Sequence, residues 1–230
     1  GTPAPVRTDD LAVIVLKELL KRNPHVDFTQ VGDVILGCAN QAGEDNRNVA
    51  RMASLMAGLP INVPGETVNR LCASGLSATV AAARAIMVGD AELAISGGVE
   101  NMTRGPWIMS KTSTPYGRDA QLFDSSFGWR FINPKMKDQF GVDAMGETAE
   151  NLVDRDKVSR EDQDKFSFNS QRKAKAAQER GRFAKEIIAV EIPGKKGEVK
   201  IFDKDEFMKP DTTVEGLGKL KPSFRKEGTV

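Results

Sequence analysis

The sequence predicts an α/β protein in which helices flank a mostly parallel sheet, with an inserted α+β region in the second half. Up to about residue 104, helical and strand-like hydrophobic patterns alternate, which is typical of βα units around a parallel sheet. The chain has 230 residues, 40% of them hydrophobic, which is enough for one large or two modest domains with a core. Over residues 105–141 the periodicity weakens, and aromatic residues, prolines and glycines are scattered, which indicates an inserted loop region.

In the first half, Thr8, Asp9 and Asp10 are capping residues that predict the start of a helix ending near Asn23 and Pro24. Further predicted elements are a buried strand over residues 31–39, a helix over residues 46–58, a strand over residues 67–71, a helix over residues 74–89 and a strand over residues 91–96. In the helix at 46–58 the expected core positions are Val49, Met52, Leu55 and Met56. The helix at 74–89 is predicted from apolar residues at helical spacing, which are Leu76, Val80, Ala83 and Met87.

In the second half, Ser159 followed by Asp162 resembles a capping box and predicts a long charged helix to about Arg180. The alternation over residues 187–192 predicts a strand. Residues 195–226 combine many lysines with glycines and prolines, and we interpret this segment as a solvated face.

The composition excludes some classes of partner. Lysine and arginine total 33 against 32 acidic residues, so the net charge of +1 gives no case for nucleic acid or bulk membrane binding. No uninterrupted apolar run approaches the ~18 residues that a membrane span requires. The two cysteines do not form a disulfide framework, and residues 1–5 have no apolar signal segment. We therefore expect a cytoplasmic protein. No metal or cofactor is predicted.

The most informative residue is Cys72, which lies between a strand-like run and the Ala-rich helix at 74–89. Backbone N–H groups and the positive end of the helix dipole stabilise a thiolate in such a position, and could also bind an oxyanion. Ser74 and Gly75 follow, a small pair that lets the backbone turn sharply. The alternative is an inert cysteine that acts as a small hydrophobe. Cys38, within an apolar run, fits that alternative.

Several motifs in order resemble the thiolases, enzymes that cleave or form 3-oxoacyl-CoA thioesters. The similarity covers nearly the whole chain and is most specific at residues 69–75, around Cys72, and at residues 94–102, which contain a glycine pair. Within the family, residues 38–47 and 127–134 look most like the 3-oxoadipyl-CoA thiolases of aromatic-compound breakdown. The other matching segments are residues 41–43, 48–51, 145–151, 219–222 and 228–230.

The resemblance implies a thiolase-like layered fold. Residues 1–104 would form the N-terminal core domain without its first strand, and residues 105–230 the loop domain that covers coenzyme A. A C-terminal core domain, present in the family, is expected to be absent, so the chain looks like a fragment at both ends. The resemblance also implies a homodimer or a tetramer.

It further implies a reaction in which Cys72 attacks the 3-oxo carbonyl and keeps the acyl group as a thioester until coenzyme A, a substrate rather than a cofactor, removes it. The family takes its catalytic histidine and second cysteine from the expected missing half. The lone His25, beside Pro24, is interpreted as an exposed loop residue, and Glu100 as structural. The implied acyl-CoA and coenzyme A contacts are Met145, Met136, Lys209 and Gly216.

Three alternatives remain open at this point. The first is an acetyl-CoA acetyltransferase, which differs in chain length rather than in reaction; the second is a decarboxylating 3-ketoacyl synthase, which the motifs at 69–71 and 147–151 fit less well. The third is a non-catalytic thiolase-like fragment or subunit half.

Overall fold

The computed structural model describes the whole chain, Gly1–Val230. Seven α-helices and seven strands form, together with four short 3-10 turns. The helices are α1 (Thr8–Arg22), α2 (Val49–Ala57), α3 (Ser74–Val88), α4 (Pro134–Phe140), α5 (Met145–Asp156), α6 (Arg160–Glu179) and α7 (Val214–Gly218). The strands are β1 (Val31–Gly37), β2 (Gly65–Val68), β3 (Leu93–Gly98), β4 (Trp107–Met109), β5 (Leu122–Asp124), β6 (Val190–Pro193) and β7 (Val199–Phe202).

The central sheet has three strands in the order β2-β1-β3, and both pairings are parallel. This confirms the predicted α/β class, in which α2 and α3 make the crossovers between parallel strands. Because side chains alternate along β1, Val34 and Leu36 enter the cluster packed with α1 and α2, whereas Ile35 packs with Ala78 and Ala82 of α3. The first element of the chain is α1.

Val49 of α2 is buried, as predicted, but the rest of the buried face of α2 differs from the prediction. Helix α2 buries Ala50, Ala53 and Ser54, while Leu55 and Met56 are more than 40% exposed. Small side chains allow close approach to a neighbouring element, so here they occupy the buried face. Helix α3 does the same: its buried residues are Ser74, Ala78 and Ala82, whereas Leu76, Val80, Ala83 and Met87 are exposed.

The start of α1 also differs in detail from the prediction. Thr8 is the first helical residue, and no side chain caps the helix from the N-cap position, Arg7. Instead, the Thr8 N–H donates to Oε2 of Glu44, 3.0 Å away, from the loop that follows β1. A tertiary contact therefore supplies the acceptor that local capping usually provides.

The region predicted as an inserted loop contains an antiparallel hairpin, β4-β5, and the short helix α4. Each strand of that hairpin has three residues, too few for an alternating pattern. A second hairpin pairs β6 with β7, so part of the lysine-rich segment is a strand rather than only a solvated face. The capping prediction at Ser159 is confirmed, because its Oγ accepts from the Asp162 N–H at 3.1 Å.

Two compact units divide the chain. The first comprises residues 1–130 and 188–202, and contains the parallel sheet and both hairpins. The second comprises residues 131–187 and 203–230, and contains α4 to α7. The domain boundary expected near residue 104 stays a prediction, since compactness alone does not define where an inserted domain begins.

Candidate active site

Cys72 lies at the carboxyl edge of the parallel sheet. It follows β2 by four residues and precedes α3 by two, and its side chain is exposed. Because the three strands are parallel, their carboxyl ends meet at this edge, where ligands of open α/β sheets bind. The fold therefore brings the sequence-predicted thiol to a position that a ligand can reach.

The turn that carries Cys72 is held by two polar side chains. Asn69 Oδ1 accepts from the Leu71 N–H at 2.9 Å, and Ser74 Oγ accepts from the Arg70 N–H at 2.8 Å while donating to the Leu71 carbonyl at 2.6 Å. Leu71 has a φ of 50°, which lies in the left-handed region. A leucine in this region is conformationally strained. The turn thus depends on its hydrogen bonds.

The start of α3 approaches the end of β1 closely. A Cβ atom on Gly37 would overlap the Ser74 backbone and lie 2.5 Å from the Gly75 nitrogen. Glycine is therefore required at this point. The N-cap residue, Ala73, makes no side-chain hydrogen bond to the helix.

Cys38, unlike Cys72, is buried. It is 1% exposed, and its thiol donates to Asp45 Oδ2 at 3.5 Å. Burial, with the nearby carboxylates of Glu100 and Asp45, raises the pKa of the Cys38 thiol to about 12. The structure supports its interpretation as an inert core residue.

Glu100 follows β3 and accepts from the Ala39 N–H at 2.8 Å and the Asn40 N–H at 3.2 Å. Ligand atoms of Cys38, Asp45 and Glu100 lie within 4.8 Å of one another. Asp45 also accepts from the Gly43 N–H at 3.0 Å, so both carboxylates have protein donors and the cluster is explained by hydrogen bonding. These contacts agree with a structural role for Glu100.

His25 lies in the turn between α1 and β1 and is exposed, as predicted. No hydrogen bond joins it to Cys72 in the structure.

The four predicted coenzyme A contacts belong to the second unit and lie on separate elements. Met136 is on α4 and Met145 begins α5, with exposed fractions of 40% and 79%. Lys209, in the loop before α7, donates its N–H to Gln171 at 2.8 Å, and the Gly216 N–H in α7 donates to Thr213 Oγ1 at 3.0 Å. No hydrogen bond or ion pair joins any two of the four, and their role stays a prediction.

Sequence reasoning missed a network that gives the motif at 145–151 a structural role. Glu150 is 2% exposed, and its Oε1 accepts from the N–H groups of Thr229 and Val230 at 2.9 and 2.8 Å. Arg225 bonds to Glu147, Asn151 and Asp154. The signal was present in the sequence, because these four residues of α5 follow the i, i+3, i+4, i+7 spacing of one helix face.

A second missed network surrounds Glu44. Its carboxylate binds the Arg104 guanidinium through two hydrogen bonds, the Oε2 contact being 2.8 Å, and pairs with Arg7 at 3.6 Å. Arg104 is the main reason that the pKa of Glu44 falls to about 2. The network joins the loop after β1 to the start of α1, and it could not be found from sequence spacing alone.

The window Leu71–Val88 is long and apolar enough by composition to cross a membrane, with a mean hydropathy of 1.6. It includes Arg84 and the buried residues Ala78 and Ala82, which pack on the sheet. An apolar core helix of a globular domain passes the same test, so this window is weak evidence for a membrane segment.

Together, the parallel sheet and the exposed thiol at its carboxyl edge define an α/β protein with an accessible cysteine where ligands of such sheets bind. Comparison with known proteins identifies the family: residues 1–230 match the family described as "Thiolase, N-terminal domain". The chain therefore belongs to the thiolase family.

Similar proteins agree with this assignment. The chain is 58% identical over 230 residues to the beta-ketoadipyl-CoA thiolase of Pseudomonas knackmussii. It is 54% identical over 230 residues to the 3-oxoadipyl-CoA/3-oxo-5,6-dehydrosuberyl-CoA thiolase of Escherichia coli. In both cases 100% of this chain aligns with 57% of the relative, so the chain spans little more than half their length.

The fold is also that of a solved relative. A crystal structure of the Bacillus anthracis acetyl-CoA acetyltransferase superposes with a TM-score of 0.85 at 36% identity. The superposition covers 100% of this chain and 56% of that one, which confirms the predicted thiolase-like fold.

Proposed function

We propose that this chain supplies the nucleophilic part of a thiolase that cleaves 3-oxoadipyl-CoA with coenzyme A, giving succinyl-CoA and acetyl-CoA. The observation that carries the proposal is the exposed Cys72 between the end of β2 and the start of α3. The names of the relatives support the substrate. Identity is 58% to a beta-ketoadipyl-CoA thiolase and 36% to the acetyl-CoA acetyltransferase of known structure.

In the proposed reaction the Cys72 thiolate attacks the 3-oxo carbonyl carbon. The bond between C2 and C3 then breaks, and acetyl-CoA leaves as an enolate that takes up a proton. The acyl group remains on sulfur as a thioester, which stays reactive toward a second thiol. Coenzyme A attacks that thioester, forms the acyl-CoA product and returns the Cys72 thiol.

The remaining parts of the site follow from the resemblance. Met145 and Met136 would contact the pantetheine arm, and Lys209 and Gly216 would lie near the nucleotide end. A lysine attracts phosphate as a point charge. The family's base and second cysteine lie in a further core domain, and His25 is not assigned to either role. We further propose a cytoplasmic homodimer or tetramer that needs no metal or cofactor.

The proposal is tested by acylation of the chain within a protein that also carries the family's further core domain, because the family's base lies there. Intact-mass and peptide mass spectrometry after incubation with 3-oxoadipyl-CoA should locate a succinyl adduct on Cys72, because the acyl-enzyme is a covalent intermediate. Cys72→Ala should abolish the adduct, while Cys38→Ala, the matched control, should retain it. An adduct that persists in Cys72→Ala would remove Cys72 from the nucleophile role.

A second candidate, an acetyl-CoA acetyltransferase, is favoured by the match to the Bacillus anthracis enzyme. It differs in the acyl group accepted. Acetoacetyl-CoA should then acylate Cys72 faster than 3-oxoadipyl-CoA does, whereas the reverse order is expected for the leading proposal. Turnover with both substrates in the longer protein would make the same comparison.

A further inference from the structure

We propose that Asn69 is a positioning residue for Cys72, and that Glu100 acts on the same thiol through Asn69. This inference rests on the proposed function, since it concerns how the nucleophile is presented. It extends the site from the cysteine turn to the loops that follow β1 and β3.

The first step is the contact between Asn69 and the turn. Its Oδ1 accepts from the Leu71 N–H at 2.9 Å, which closes a side-chain turn immediately before Cys72. Leu71 has a φ of 50°, and a leucine does not adopt this conformation without support from its surroundings. The bond therefore favours the one backbone conformation that places Cys72 before α3.

The second step is the contact between Asn69 and the loop that follows β1. Its Nδ2 donates to the Ala39 carbonyl at 3.0 Å, in the loop that follows β1. A single amide side chain thus uses both its donor and its acceptor, and ties the cysteine turn to the sheet edge. Aspartate can keep the first bond but lacks the N–H group needed for the second.

The third step leads from Ala39 to Glu100. The carboxylate accepts from the Ala39 N–H at 2.8 Å and the Asn40 N–H at 3.2 Å, so it fixes the backbone whose carbonyl Asn69 uses. A charged acceptor makes stronger hydrogen bonds than a neutral one. Glu100 has no hydrogen bond to the cysteine turn itself, so its influence on Cys72 passes through Ala39 and Asn69.

The experiment measures the second-order rate at which iodoacetamide alkylates Cys72 in the folded chain, with peptide mapping to follow Cys38 separately. Asn69→Ala should slow alkylation of Cys72 by about fivefold, within the range expected for losing one or two hydrogen bonds. Asn69→Asp should recover part of the rate because it keeps the acceptor. Asn23→Ala removes an amide that donates to Leu19 at the end of α1, and should leave the rate unchanged.

Glu100→Gln should slow the alkylation of Cys72 by about twofold to threefold. Glu92→Gln, at the other end of β3, should leave that rate unchanged. The double variant with Asn69→Ala should be no slower than Asn69→Ala alone, because both changes act on one chain of contacts. Additive effects would overturn the role of Glu100. The role of Asn69 would be overturned if Asn69→Ala left the alkylation rate of Cys72 unchanged. It would also be overturned if Cys38 became open to alkylation in the same variant, since that would indicate general unfolding.

These results are separable from the proposed function. If no acyl-CoA acylates Cys72 even in a protein that carries the further core domain, but Asn69→Ala still slows its alkylation, the thiolase proposal fails and the positioning role stands. If acylation occurs and Asn69→Ala alkylates at the original rate, the positioning role fails alone.

Discussion

At the scale of single residues, two cysteines near one sheet edge have opposite surroundings. Cys38 is buried against Asp45, and Cys72 is exposed beside a helix N-terminus. A thiol reacts as its thiolate, so the environment that raises the pKa of Cys38 also protects it from chemistry. The position of a cysteine relative to the end of its strand does not determine its reactivity; burial and neighbouring charge do.

Glu44 gives a prediction about acid stability. Its pKa falls from the ordinary value of 4.5 to about 2 in the folded state. As the pH falls, Glu44 is therefore protonated in the unfolded chain before it is protonated in the folded one. The resulting stabilisation is present above pH 4.5 and is lost as the pH falls toward 2. Glu44→Gln should therefore lower the free energy of unfolding at neutral pH by about 1–3 kcal/mol, with partial exposure of Arg104 limiting the effect.

Urea unfolding followed by circular dichroism at several pH values measures this difference. The difference in free energy of unfolding between Glu44→Gln and the original chain should shrink as the pH falls below 4.5. Glu18→Gln, which removes a surface pair with Arg22 on α1, should change stability little at any pH. A gap that stays constant with pH would mean that the Glu44 carboxylate is not the source of the stabilisation.

At the scale of elements, the contact between β1 and α3 fixes where the cysteine turn lies. Gly37→Ala should lower the free energy of unfolding by more than about 2 kcal/mol, because its Cβ would meet the backbone of Ser74 and Gly75, which cannot rotate away. It should also slow alkylation of Cys72. Gly97→Ala is the control, since its Cβ would lie 3.5 Å from Leu36 Cδ2, an ordinary contact. Equal destabilisation by the two substitutions would contradict this account of the β1–α3 contact.

Most elements of the first half could be predicted because their signals are local. Hydrophobic periodicity and turn residues placed α1, β1, α2, α3 and β3 within a few residues of their observed bounds. The buried face of α2 could not be predicted from hydrophobicity, because a helix that packs closely buries small residues such as Ala50 and Ala53. Hydrophobicity alone ranks Met56 above both.

The candidate site was only partly predictable for a similar reason. Cys72 could be selected from its local setting between a strand and an Ala-rich helix. Its supports could not, because the bonds from Asn69 and Glu100 to the Ala39 backbone join residues 30 and 61 positions apart in sequence. Such contacts depend on strand order, which a single sequence does not specify.

At the scale of the whole molecule, one helix presents an unusual amount of apolar surface. The exposed fractions of Met87, Val88 and Leu76 in α3 are 84%, 72% and 69%. Large apolar side chains exposed on one helix are typical of surfaces that associate with a partner. The inward face of α3 is made of small residues, so its large side chains remain exposed.

We therefore expect the 230-residue chain to associate reversibly with itself, and Met87→Lys to weaken that association by placing a charge in the apolar face. Sedimentation velocity over a concentration series measures the effect. Ile61→Lys is the control, because Ile61 is 80% exposed but lies in the turn after α2, away from α3. Equal weakening by both substitutions would show that association does not use α3.

The long sequence separation of the Asn69 and Glu100 contacts also has a consequence for biosynthesis. Cys72 is translated 28 residues before Glu100. Parallel pairing of β1 with β3 cannot begin until β3 has emerged, and contacts distant in sequence form slowly. The nascent chain therefore carries Cys72 as an ordinary cysteine, and the thiol acquires its special setting only once the sheet is assembled. The hydrogen bonds that hold the cysteine turn to the loop after β1 therefore form only with the folded sheet.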